Sequence, residues 1–574
     1  MDIIELIDKK KSGKKLTQKE WEFFVSGVCN GQIKDYQTSS MLMAMFLKDL
    51  DFEETYNLTM AMANSGKVLN LDDIGECLDK HSTGGVSDTT TLVVVPVLAS
   101  IGVKVAKMSG RSLGHTGGTA DKMEVFQGYN TEISTYKFKE LIAKNNASII
   151  SQSDDFAVAD KILYKLRSET GTVDNISLIA SSIMSKKIAC GAKLLVLDVK
   201  YGSGAFMKTE KDAKQLAKIM KDIGARCGIK VCAVISNMNQ PLTPYIGNNF
   251  EVYSALKVLD GLDNNLSNLS KVLCEEALLL CGKCQTKMQA EMLINDAIKS
   301  GKAKQKLIEI VSAQNGSVEY INNPEKLIKE NRFIEINSEY DGYLQKFDTA
   351  QLGNIAHSLQ KIDGKIIRQD DVGIILNKNV GDYIKNGEKI MTVYYNQLDD
   401  KDELIEEIKK SFCVGKKPKT AKLVDNILKW WSIMEKICNN LKDTEQLAFE
   451  FAKFLHGGEV VTLEGDLGAG KTTFTKSLAL ALGIKEHVTS PTFTLMNQYV
   501  GKDLKLYHFD MYRIEDIDEI LETGLTEYFG NQDAVCMIEW AENIKSLLPK
   551  NIIKISIIKH SETSRKFVIE MWKL

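Results

Sequence analysis

The chain has 574 residues, more than one hydrophobic core normally supports, so we expect several domains of about 100–200 residues each. Hydrophobic residues make up 44% of it and charged residues 26%, which is typical of soluble globular proteins. The 73 basic and 76 acidic residues leave a net charge of −3, which excludes an overall basic surface for nucleic acid. The longest apolar run, 92–99, falls far short of the roughly 20 residues of a membrane span, and the N-terminus lacks a signal-peptide core. The 11 cysteines follow no framework pattern, so we expect a soluble cytoplasmic protein without membrane association.

The order of the predicted elements indicates an α/β multidomain protein. A helical domain is predicted over 1–70, and a helical segment at about 160–190 returns to it. Apolar runs at 91–102, 104–110, 193–204 and 230–236 are typical of buried parallel strands that end in glycine-rich turns, as in a large α/β domain. The predicted domains after the first are an α/β domain (71–334), a C-terminal α+β barrel-like module (335–415), a junction (416–433) and a P-loop NTPase α/β domain (434–574).

Three polar, glycine-rich turns lie between residues 80 and 124. They are Lys80–Gly85, Lys107–Arg111 and Gly114–Thr119. Glycines let backbone N–H groups approach an anion, while serine, threonine and lysine side chains add donors and charge. Because loops at the strand ends of an open sheet converge on one crevice, the three turns together predict a phosphate site.

These turns also carry a family resemblance. KHSTGG and KMSGRSLGHTGGTADKME, followed by Leu166-Arg167, IASSIMSKK and LDVKYGSGAFMK, resemble the thymidine and pyrimidine-nucleoside phosphorylases over about residues 1–430. The resemblance implies a helical domain, a large α/β domain and a C-terminal α+β segment, with a homodimer formed through the helical domain. It also implies attack of inorganic phosphate on C1′ of a pyrimidine nucleoside, which passes through an oxocarbenium-like state.

Site residues follow from the resemblance position by position. For phosphate, it implies Lys80, Ser82, Thr91, Lys107, Ser109 and Thr119. Arg167, Ser182 and Lys186 correspond to the residues that bind the pyrimidine, where positive charge stabilises the departing base. His81 is the candidate proton donor, since an unperturbed imidazole titrates near pH 6.5. The implied catalytic set is therefore His81, Lys80, Arg167 and Lys186.

The chain departs from the family pattern around an implied potassium site. That site would include Ser87, Thr89 and Leu242, but Ser87 stands where the family usually has glycine. The carboxylate of the family's site maps onto Ser254, and Thr243 replaces another glycine. The sequence therefore leaves open whether K⁺ is bound.

A second motif lies near the C-terminus. Residues 459–464 have the pattern of a strand that runs into Gly465-Asp466-Leu467-Gly468-Ala469-Gly470-Lys471-Thr472-Thr473, and a helix follows. This is the P-loop pattern in its required context, so Asp466, Leu467, Gly468, Ala469, Gly470, Lys471, Thr472 and Thr473 are predicted to bind ATP. Thr472 and Glu539, which ends the apolar run 534–538, are the predicted Mg²⁺ ligands.

The residues around the P-loop carry a second resemblance. GDLGAGKTTFTK, VTSPTFTL, YHFDMYRI and IEWAENI resemble the small ATPase of bacterial tRNA threonylcarbamoyladenosine synthesis, the TsaE family, over 434–574. The resemblance implies ATP hydrolysis in a complex with TsaB- and TsaD-like threonylcarbamoyl-transferase proteins, so tRNA would be a partner only indirectly. Ser490, Thr492 and Thr494 would lie in a nucleotide-sensing loop. Asp510 would either sit near the γ-phosphate or stabilise the fold, and Trp540 either faces the nucleotide or packs ordinarily.

The leading hypothesis is a bifunctional fusion of a pyrimidine-nucleoside phosphorylase and an ATPase, with no substrate relation between them. Two alternatives stay open. The first is a P-loop domain that acts as a nucleoside or sugar kinase, although only Arg513 and Arg565 follow the P-loop. The second is a weakened phosphorylase that only dimerises the ATPase. The sequence does not decide between uridine and thymidine as substrate.

Overall fold

The structure, a computed structural model, forms two compact units, Met1–Leu428 and Lys429–Leu574. Helices and strands are numbered in chain order. The described residues are 1–110, 117–152, 155–329, 332–362, 365–366, 371–398, 400–419, 421–429, 434–452, 455, 457–514, 516, 519–520, 523–549 and 552–571. Residues 111–116, which include the end of the second glycine-rich turn and the start of the third, lie outside them, as does the end of the predicted junction, 430–433.

Six helices form the helical part of the first unit. They are α1 Ile3–Lys11, α2 Gln18–Cys29, α3 Asp35–Lys48, α4 Phe52–Ala63, α8 Val158–Thr170 and α9 Ile176–Cys190. The capping box of Thr17 and Glu20 starts α2 as the sequence indicates, with each side chain bonded to the other residue's backbone. Trp21 and Met41 are fully buried in the core of this part, and Leu163 of α8 joins the same core. The later helices therefore return to the N-terminal ones.

A six-stranded sheet in the order β15-β5-β4-β1-β2-β3 forms the centre of the first unit. Its strands are β1 Leu78–Ser82, β2 Val105–Ser109, β3 Ala147–Ser151, β4 Leu194–Tyr201, β5 Lys230–Asn237 and β15 Val424–Leu428. The first five pair in parallel, while β15 is antiparallel to β5 at the edge. Part of the predicted junction is thus a strand of this sheet. The helices of this α/β part are α5 Thr90–Ser100, α6 Thr119–Met123, α7 Thr135–Asn145, α10 Glu210–Arg226, α11 Asn248–Leu259, α12 Asn265–Leu280, α13 Lys287–Lys299, α14 Lys302–Ala313 and α15 Glu319–Asn322.

One predicted strand is wrong, because the apolar run at 91–102 lies mostly in helix α5. The residues from Thr90 to Ala99 are buried on every side, so the helix has no polar face and its sequence has no helical period. A short apolar run of this kind cannot be assigned to helix or strand from periodicity. Pro96 lies inside this helix, a position that the sequence pattern does not indicate.

The C-terminal part of the first unit contains two small antiparallel sheets. The first has the order β6-β11-β13-β7, with β6 Tyr245–Ile246, β7 Arg332–Asn337, β11 Gly373–Leu376 and β13 Lys389–Tyr395. The second has the order β12-β8-β14, with β8 Gly342–Phe347, β12 Tyr383–Ile384 and β14 Phe412–Gly415. The hairpin β9 Lys361–Ile362 and β10 Lys365–Ile366, and the helices α16 Thr349–Ser358 and α17 Lys401–Lys409, complete it. Because β6 follows β5 in the chain, the first small sheet is joined directly to the loops of the central sheet.

The second unit is a seven-stranded sheet in the order β16-β22-β21-β17-β20-β19-β18. The strands are β16 Met434–Cys438, β17 Val460–Glu464, β18 Met496–Val500, β19 Lys505–Asp510, β20 Ala534–Glu539, β21 Ile553–Lys559 and β22 Arg565–Met571. Strands β21, β17, β20 and β19 are parallel neighbours. Helices α18 Leu441–Ala452 and α19 Lys471–Ala481 belong to this unit, and Phe474 of α19 is fully buried in its core. The predicted α/β multidomain class is confirmed.

Across the part of the chain that the structure describes, no helix combines the length and the apolar character that crossing a bilayer requires.

Candidate functional site

The carboxyl ends of β1, β2 and β4 bring the first two glycine-rich turns together. Strand β1 ends with Lys80, His81 and Ser82, and His81 is paired in register with Leu197 of β4. Strand β2 carries Lys107 and ends at Ser109. These strands are parallel neighbours in the order β4-β1-β2, so the residues at their carboxyl ends lie along one edge of the sheet.

The remaining predicted phosphate residues lie at helix starts. Thr91 is buried in the first turn of α5, and Thr119 is the first residue of α6, after the N-cap Gly118. Short polar side chains at helix N-termini are well placed for an anion.

Buried charges surround the strand ends. Four lysine side chains lie near three aspartate side chains. The lysines are Lys80, Lys107, Lys187 and Lys200, and the aspartates are Asp79, Asp88 and Asp198. Lys187 lies 2.8 Å from Asp79, and Lys200 lies 2.7 Å from Asp198. Lys107 Nζ lies farther from Asp79, at 4.0 Å, and the carboxylate of Asp79 already pairs with Lys187. Among the residues that the structure describes, this cluster therefore has more cations than carboxylates to neutralise them.

The imbalance shifts the pKa values of the buried lysines. Burial lowers the pKa of Lys107 to about 7, and the positive charge of Lys187 adds to the effect. Burial also lowers the pKa of Lys80, against the attraction of Asp88 and Asp198. Lys200 has a raised pKa, since the two aspartates beside it outweigh its burial. Lys107 is thus partly neutral near pH 7 and can gain a proton when an anion arrives.

His81 differs from the sequence-based expectation. Burial lowers the pKa of its imidazole well below the ordinary value, and the charges of Lys187, Lys107, Lys186 and Lys80 lower it further. The pKa of His81 therefore lies below the 6.5 of an unperturbed imidazole, because burial and the four nearby lysines both disfavour its charged form. Without an anion, His81 is neutral at pH 7.

The predicted pyrimidine residues lie on α8 and α9. Lys186 forms an ion pair with Asp160, and its Nζ lies 2.9 Å from Ser182 Oγ. Asp160 is buried, and its second carboxylate oxygen has no hydrogen-bond partner among the residues that the structure describes. The structure therefore brings Ser182 and Lys186 together, with Asp160 as an anchor for the lysine.

Arg167 is largely committed to its own domain. Its Nε donates to Thr172 O at 3.1 Å, and its two terminal nitrogens donate to Leu178 O and Val173 O. Burial lowers the pKa of Arg167 to about 10, which leaves it charged at neutral pH. Three of its five N–H groups thus hold the α8–α9 connection, and two remain for another acceptor.

Sequence reasoning missed the groups that hold the predicted residues. Asp79 and Asp160 pair with lysines more than 20 residues away, and no local spacing reveals such pairs. Thr90, not the predicted Thr91, accepts from Lys80 and donates to Asp88 at 2.6 Å. The adjacent threonines in the sequence were the only signal for this position.

The implied potassium residues lie together after the phosphate turn. Ser87 and Thr89 are buried between β1 and α5, and Leu242 N donates to Val86 O at 3.4 Å. Ser254 is buried on α11, with no hydrogen-bond partner for its hydroxyl.

The second unit places the P-loop between β17 and α19. Gly465, Gly468 and Gly470 have φ of 147°, 78° and 111°, which glycine adopts without strain. Lys471 Nζ donates to Gly465 O at 2.6 Å and lies 3.9 Å from the centre of the Trp540 ring. The indole therefore faces the P-loop lysine, which supports the interpretation that Trp540 lies on the nucleotide side.

The two predicted Mg²⁺ ligands are in contact. Thr472 Oγ1 donates to Glu539 Oε1 at 2.9 Å, and the same oxygen lies 2.9 Å from His508 Nε2. A hydroxyl and a carboxylate are hard oxygen donors of the kind that Mg²⁺ prefers, so this pair fits the ion. Sequence reasoning missed His508, although it stands on the neighbouring strand in YHFDMYRI.

Asp510 binds the predicted nucleotide-sensing loop. Its Oδ2 accepts hydrogen bonds from Ser490 Oγ at 2.5 Å and from Thr492 Oγ1 at 2.7 Å, while Thr494 Oγ1 donates to Asn497. Asp510 on β19 is paired in register with Glu539 on β20, so the loop is anchored two strands away from the P-loop strand β17, with β20 between them.

The two arginines of the second unit contact the P-loop backbone and an exposed aromatic ring. Arg565 Nε donates to Ala469 O of the P-loop at 2.9 Å, which sequence reasoning missed. Arg513 lies 4.4 Å from the centre of the exposed Phe493 ring.

Comparison with protein families gives four matches along the chain. They are the glycosyl transferase family helical bundle domain (4–66), the glycosyl transferase family a/b domain (75–304), the pyrimidine nucleoside phosphorylase C-terminal domain (343–414) and the threonylcarbamoyl adenosine biosynthesis protein TsaE (438–567). The matches follow the order of the structural parts and change family after the first unit.

Three known proteins are similar to parts of the chain. A pyrimidine-nucleoside phosphorylase of Staphylococcus epidermidis is 44% identical over 434 residues, which are 75% of this chain and 100% of the relative. The crystal structure of Bacillus subtilis YdiB is 38% identical, with a TM-score of 0.21, over 24% of this chain and 85% of that one. An anthranilate phosphoribosyltransferase (TrpD) from Thermus thermophilus is 18% identical, with a TM-score of 0.46, over 55% of this chain and 100% of that one.

We predict that binding of inorganic phosphate to the first unit takes up protons at about pH 8. Lys107, with a pKa of about 7, is mostly neutral there, and a neighbouring dianion favours its charged form. Uptake should approach one proton per site and shrink towards pH 6, where Lys107 is already protonated. Calorimetry in two buffers of different ionisation enthalpy measures it. Lys107→Arg, which is charged throughout, should bind phosphate with a smaller uptake, because only the contribution of Lys107 is lost and that of His81 remains; equal uptake in both proteins would contradict the prediction.

Proposed function

The chain belongs to the pyrimidine-nucleoside phosphorylase family and carries a TsaE domain, and from this premise we propose that it has two separate enzymatic activities. The first unit catalyses phosphorolysis of pyrimidine nucleosides to the free base and ribose or deoxyribose 1-phosphate. The second unit hydrolyses ATP in the synthesis of N6-threonylcarbamoyladenosine in tRNA.

The observation that carries the first activity is the surplus of buried lysines at the strand ends. Burying ammonium groups without enough carboxylates is costly unless an anion completes the cluster. Inorganic phosphate is a dianion with several acceptor oxygens, which matches lysines surrounded by hydroxyl donors. The proposed phosphate residues are Lys80, Ser82, Thr91, Lys107, Ser109 and Thr119.

The nucleoside would lie between this phosphate and helices α8 and α9. Lys186 and Ser182 would contact the pyrimidine, with Arg167 using its remaining N–H groups. Charge develops on the base as the glycosidic bond breaks, so cations here stabilise the transition state more than the ground state.

His81 acquires a more specific role in this proposal. Burial and the charges of the lysines keep its imidazole neutral in the absence of phosphate, and the phosphate dianion would offset the lysine charges and raise the pKa of His81. The histidine could then carry a proton only when phosphate is bound, so its proton would reach the departing base only in the complete complex.

The contact between Thr472 and Glu539 at the end of the P-loop carries the second activity. Backbone N–H groups of 466–470 would cradle the phosphates of ATP, and Lys471 would turn from its carbonyl contacts towards the β- and γ-phosphates. Thr472 and Glu539 would hold Mg²⁺, which neutralises charge on the phosphates when it is bound. His508 would orient the Glu539 carboxylate.

We further propose a cytoplasmic location, since all 11 cysteines are free thiols, as expected in a reducing compartment. The proposed partners of the second unit are TsaB- and TsaD-like proteins, so tRNA is an indirect partner. Neither a kinase activity nor a decayed phosphorylase scaffold has support from the family matches, and the lysine cluster opposes decay.

Separate activities predict separate losses. Lys80→Ala or Lys107→Ala should lower phosphate-dependent release of uracil from uridine, or thymine from thymidine, by at least about 10²–10³-fold, as for loss of one charge-stabilising donor. ATP hydrolysis should be unchanged in both variants. Lys471→Ala should show the reverse pattern, and thermal unfolding should confirm that each variant is folded. Absence of phosphorolysis in the unmodified chain, or parallel loss of both activities, would contradict the proposal.

A homodimer through the helical domain is supported by an apolar stripe on α3. The stripe consists of Tyr36 and of Met43 and Leu47, which follow Tyr36 by 7 and 11 residues and therefore lie on the same helix face. Their side chains are 72%, 38% and 70% exposed, in that order. Leu47→Glu combined with Tyr36→Glu should halve the mass measured by light scattering. Met292→Glu, at an equally exposed position on α13, is the matched control and should stay dimeric. A monomeric unmodified chain would refute the dimer.

The ATPase should be slow in the isolated chain and faster with its partners. Arg565 holds the P-loop carbonyl of Ala469 and Arg513 stacks on Phe493, so neither occupies the place of an arginine finger. Such a finger is worth about 10³–10⁵-fold in turnover. Steady-state hydrolysis by the full chain, with and without TsaB- and TsaD-like proteins, measures the difference. Fast turnover that the partners do not change would disprove this expectation.

A further inference from the structure

Ser87 adopts a backbone conformation that favours glycine. It lies in the loop after β1, is fully buried, and has a φ of 62°. A side chain on a left-handed residue costs conformational energy that glycine avoids, and Ser87 is the only residue with a side chain and positive φ among the described residues from 50 to 145. The serine must therefore make an interaction that offsets this strain.

That interaction is a hydroxyl pair. Ser87 Oγ lies 2.6 Å from Thr243 Oγ1 and donates to Tyr245 O at 2.7 Å. Thr243 Oγ1 in turn lies 3.2 Å from both the N and the O of Tyr245. Both hydroxyls belong to positions where the resembling family has glycine, so the two departures from the family pattern are in direct contact. We call Ser87 and Thr243 the hydroxyl clamp.

The clamp joins two parts of the phosphorylase site. On one side, Asp88 follows Ser87 directly and accepts from Thr90, which accepts from Lys80. On the other side, Tyr245 begins β6, which pairs with β11 of the C-terminal part. The position of the phosphate loop is thus coupled to the C-terminal part through two side-chain hydroxyls.

The residues present do not fit the potassium ion that the family resemblance implies. The hydroxyl of Ser87 already occupies the Tyr245 carbonyl, and Ser254 offers a neutral hydroxyl in place of a carboxylate. The two carboxylates that flank these positions in sequence are neutralised: Lys200 lies 3.7 Å from Asp88, and Lys122 lies 2.9 Å from Glu251. The hydroxyls of Thr89 and Ser254 have no hydrogen-bond partner among the described residues. They are neutral, however, so they supply no negative charge to offset the free energy of dehydrating a buried cation.

We propose that the hydroxyl clamp replaces the monovalent cation in this chain, with Ser87 and Thr243 as positioning residues for the phosphate loop. The proposal rests on the proposed phosphorolysis. Its consequence is that the reaction proceeds equally well in potassium chloride and in choline chloride of the same ionic strength.

The first test removes the clamp without straining the backbone. Ser87→Gly combined with Thr243→Gly should raise the KM for phosphate about tenfold, the effect of one or two lost hydrogen bonds, with a smaller change in kcat. Thr243→Ser keeps the hydroxyl and should retain the original KM, whereas the isosteric Thr243→Val should raise the KM by less than the double variant does, because Ser87 Oγ can still donate to Tyr245 O. Equal KM values for the serine and valine variants would overturn the clamp.

The second test rebuilds a cation site. Adding Ser254→Glu to the double glycine variant should make both phosphorolysis and the melting temperature rise with potassium chloride but not with choline chloride. Ser254→Glu in the presence of the clamp should give no such response. Strong potassium activation of the unmodified chain would overturn the proposal. If neither the unmodified chain nor any variant shows phosphorolysis in either salt, the proposed function fails. The melting temperatures in potassium chloride and in choline chloride, compared with and without the clamp, would still decide whether the clamp excludes the cation.

Discussion

The first unit depends on the cost of burying more lysine than aspartate at the ends of three parallel strands. Lys80, Lys107 and Lys200 are almost completely buried, and their side chains approach the carboxylates of Asp79, Asp88 and Asp198. Burial disfavours the charged forms, and the lowered pKa values of Lys80, Lys107 and His81 follow from it. An anion relieves all of these shifts at once. The same electrostatic imbalance thus underlies the proposed phosphate site, the predicted proton uptake and the lowered pKa of His81.

The parts of the fold and of the candidate sites that rest on contiguous sequence patterns could be predicted. The contacts between residues far apart in the sequence could not. The P-loop is contiguous, so its glycines, Lys471 and Thr472 could be placed from sequence, and the strand-end rule added Glu539. The order of the domains followed in the same way, from changes in hydrophobic pattern. By contrast, Asp160 meets Lys186 across two helices, and no spacing in the sequence records that contact.

Two errors have clear physical causes. Helix α5 is buried on every side, so its sequence lacks the polar face that distinguishes a helix from a buried strand. The pKa of His81 depends on lysines contributed by β1, β2 and α9, which only the folded chain brings together. The potassium question shows the same limit: the sequence revealed Ser87 and Thr243 as separate departures, and only the structure showed that they touch.

The most direct test of the buried-lysine account is the titration of His81 in the full chain, followed by NMR of nitrogen-labelled histidine and assigned with His81→Gln. Without phosphate, the imidazole should stay neutral to well below the ordinary histidine range, and saturating phosphate should raise its pKa. A His81 that titrates near pH 6.5 in the absence of phosphate, and that phosphate does not shift, would contradict the account.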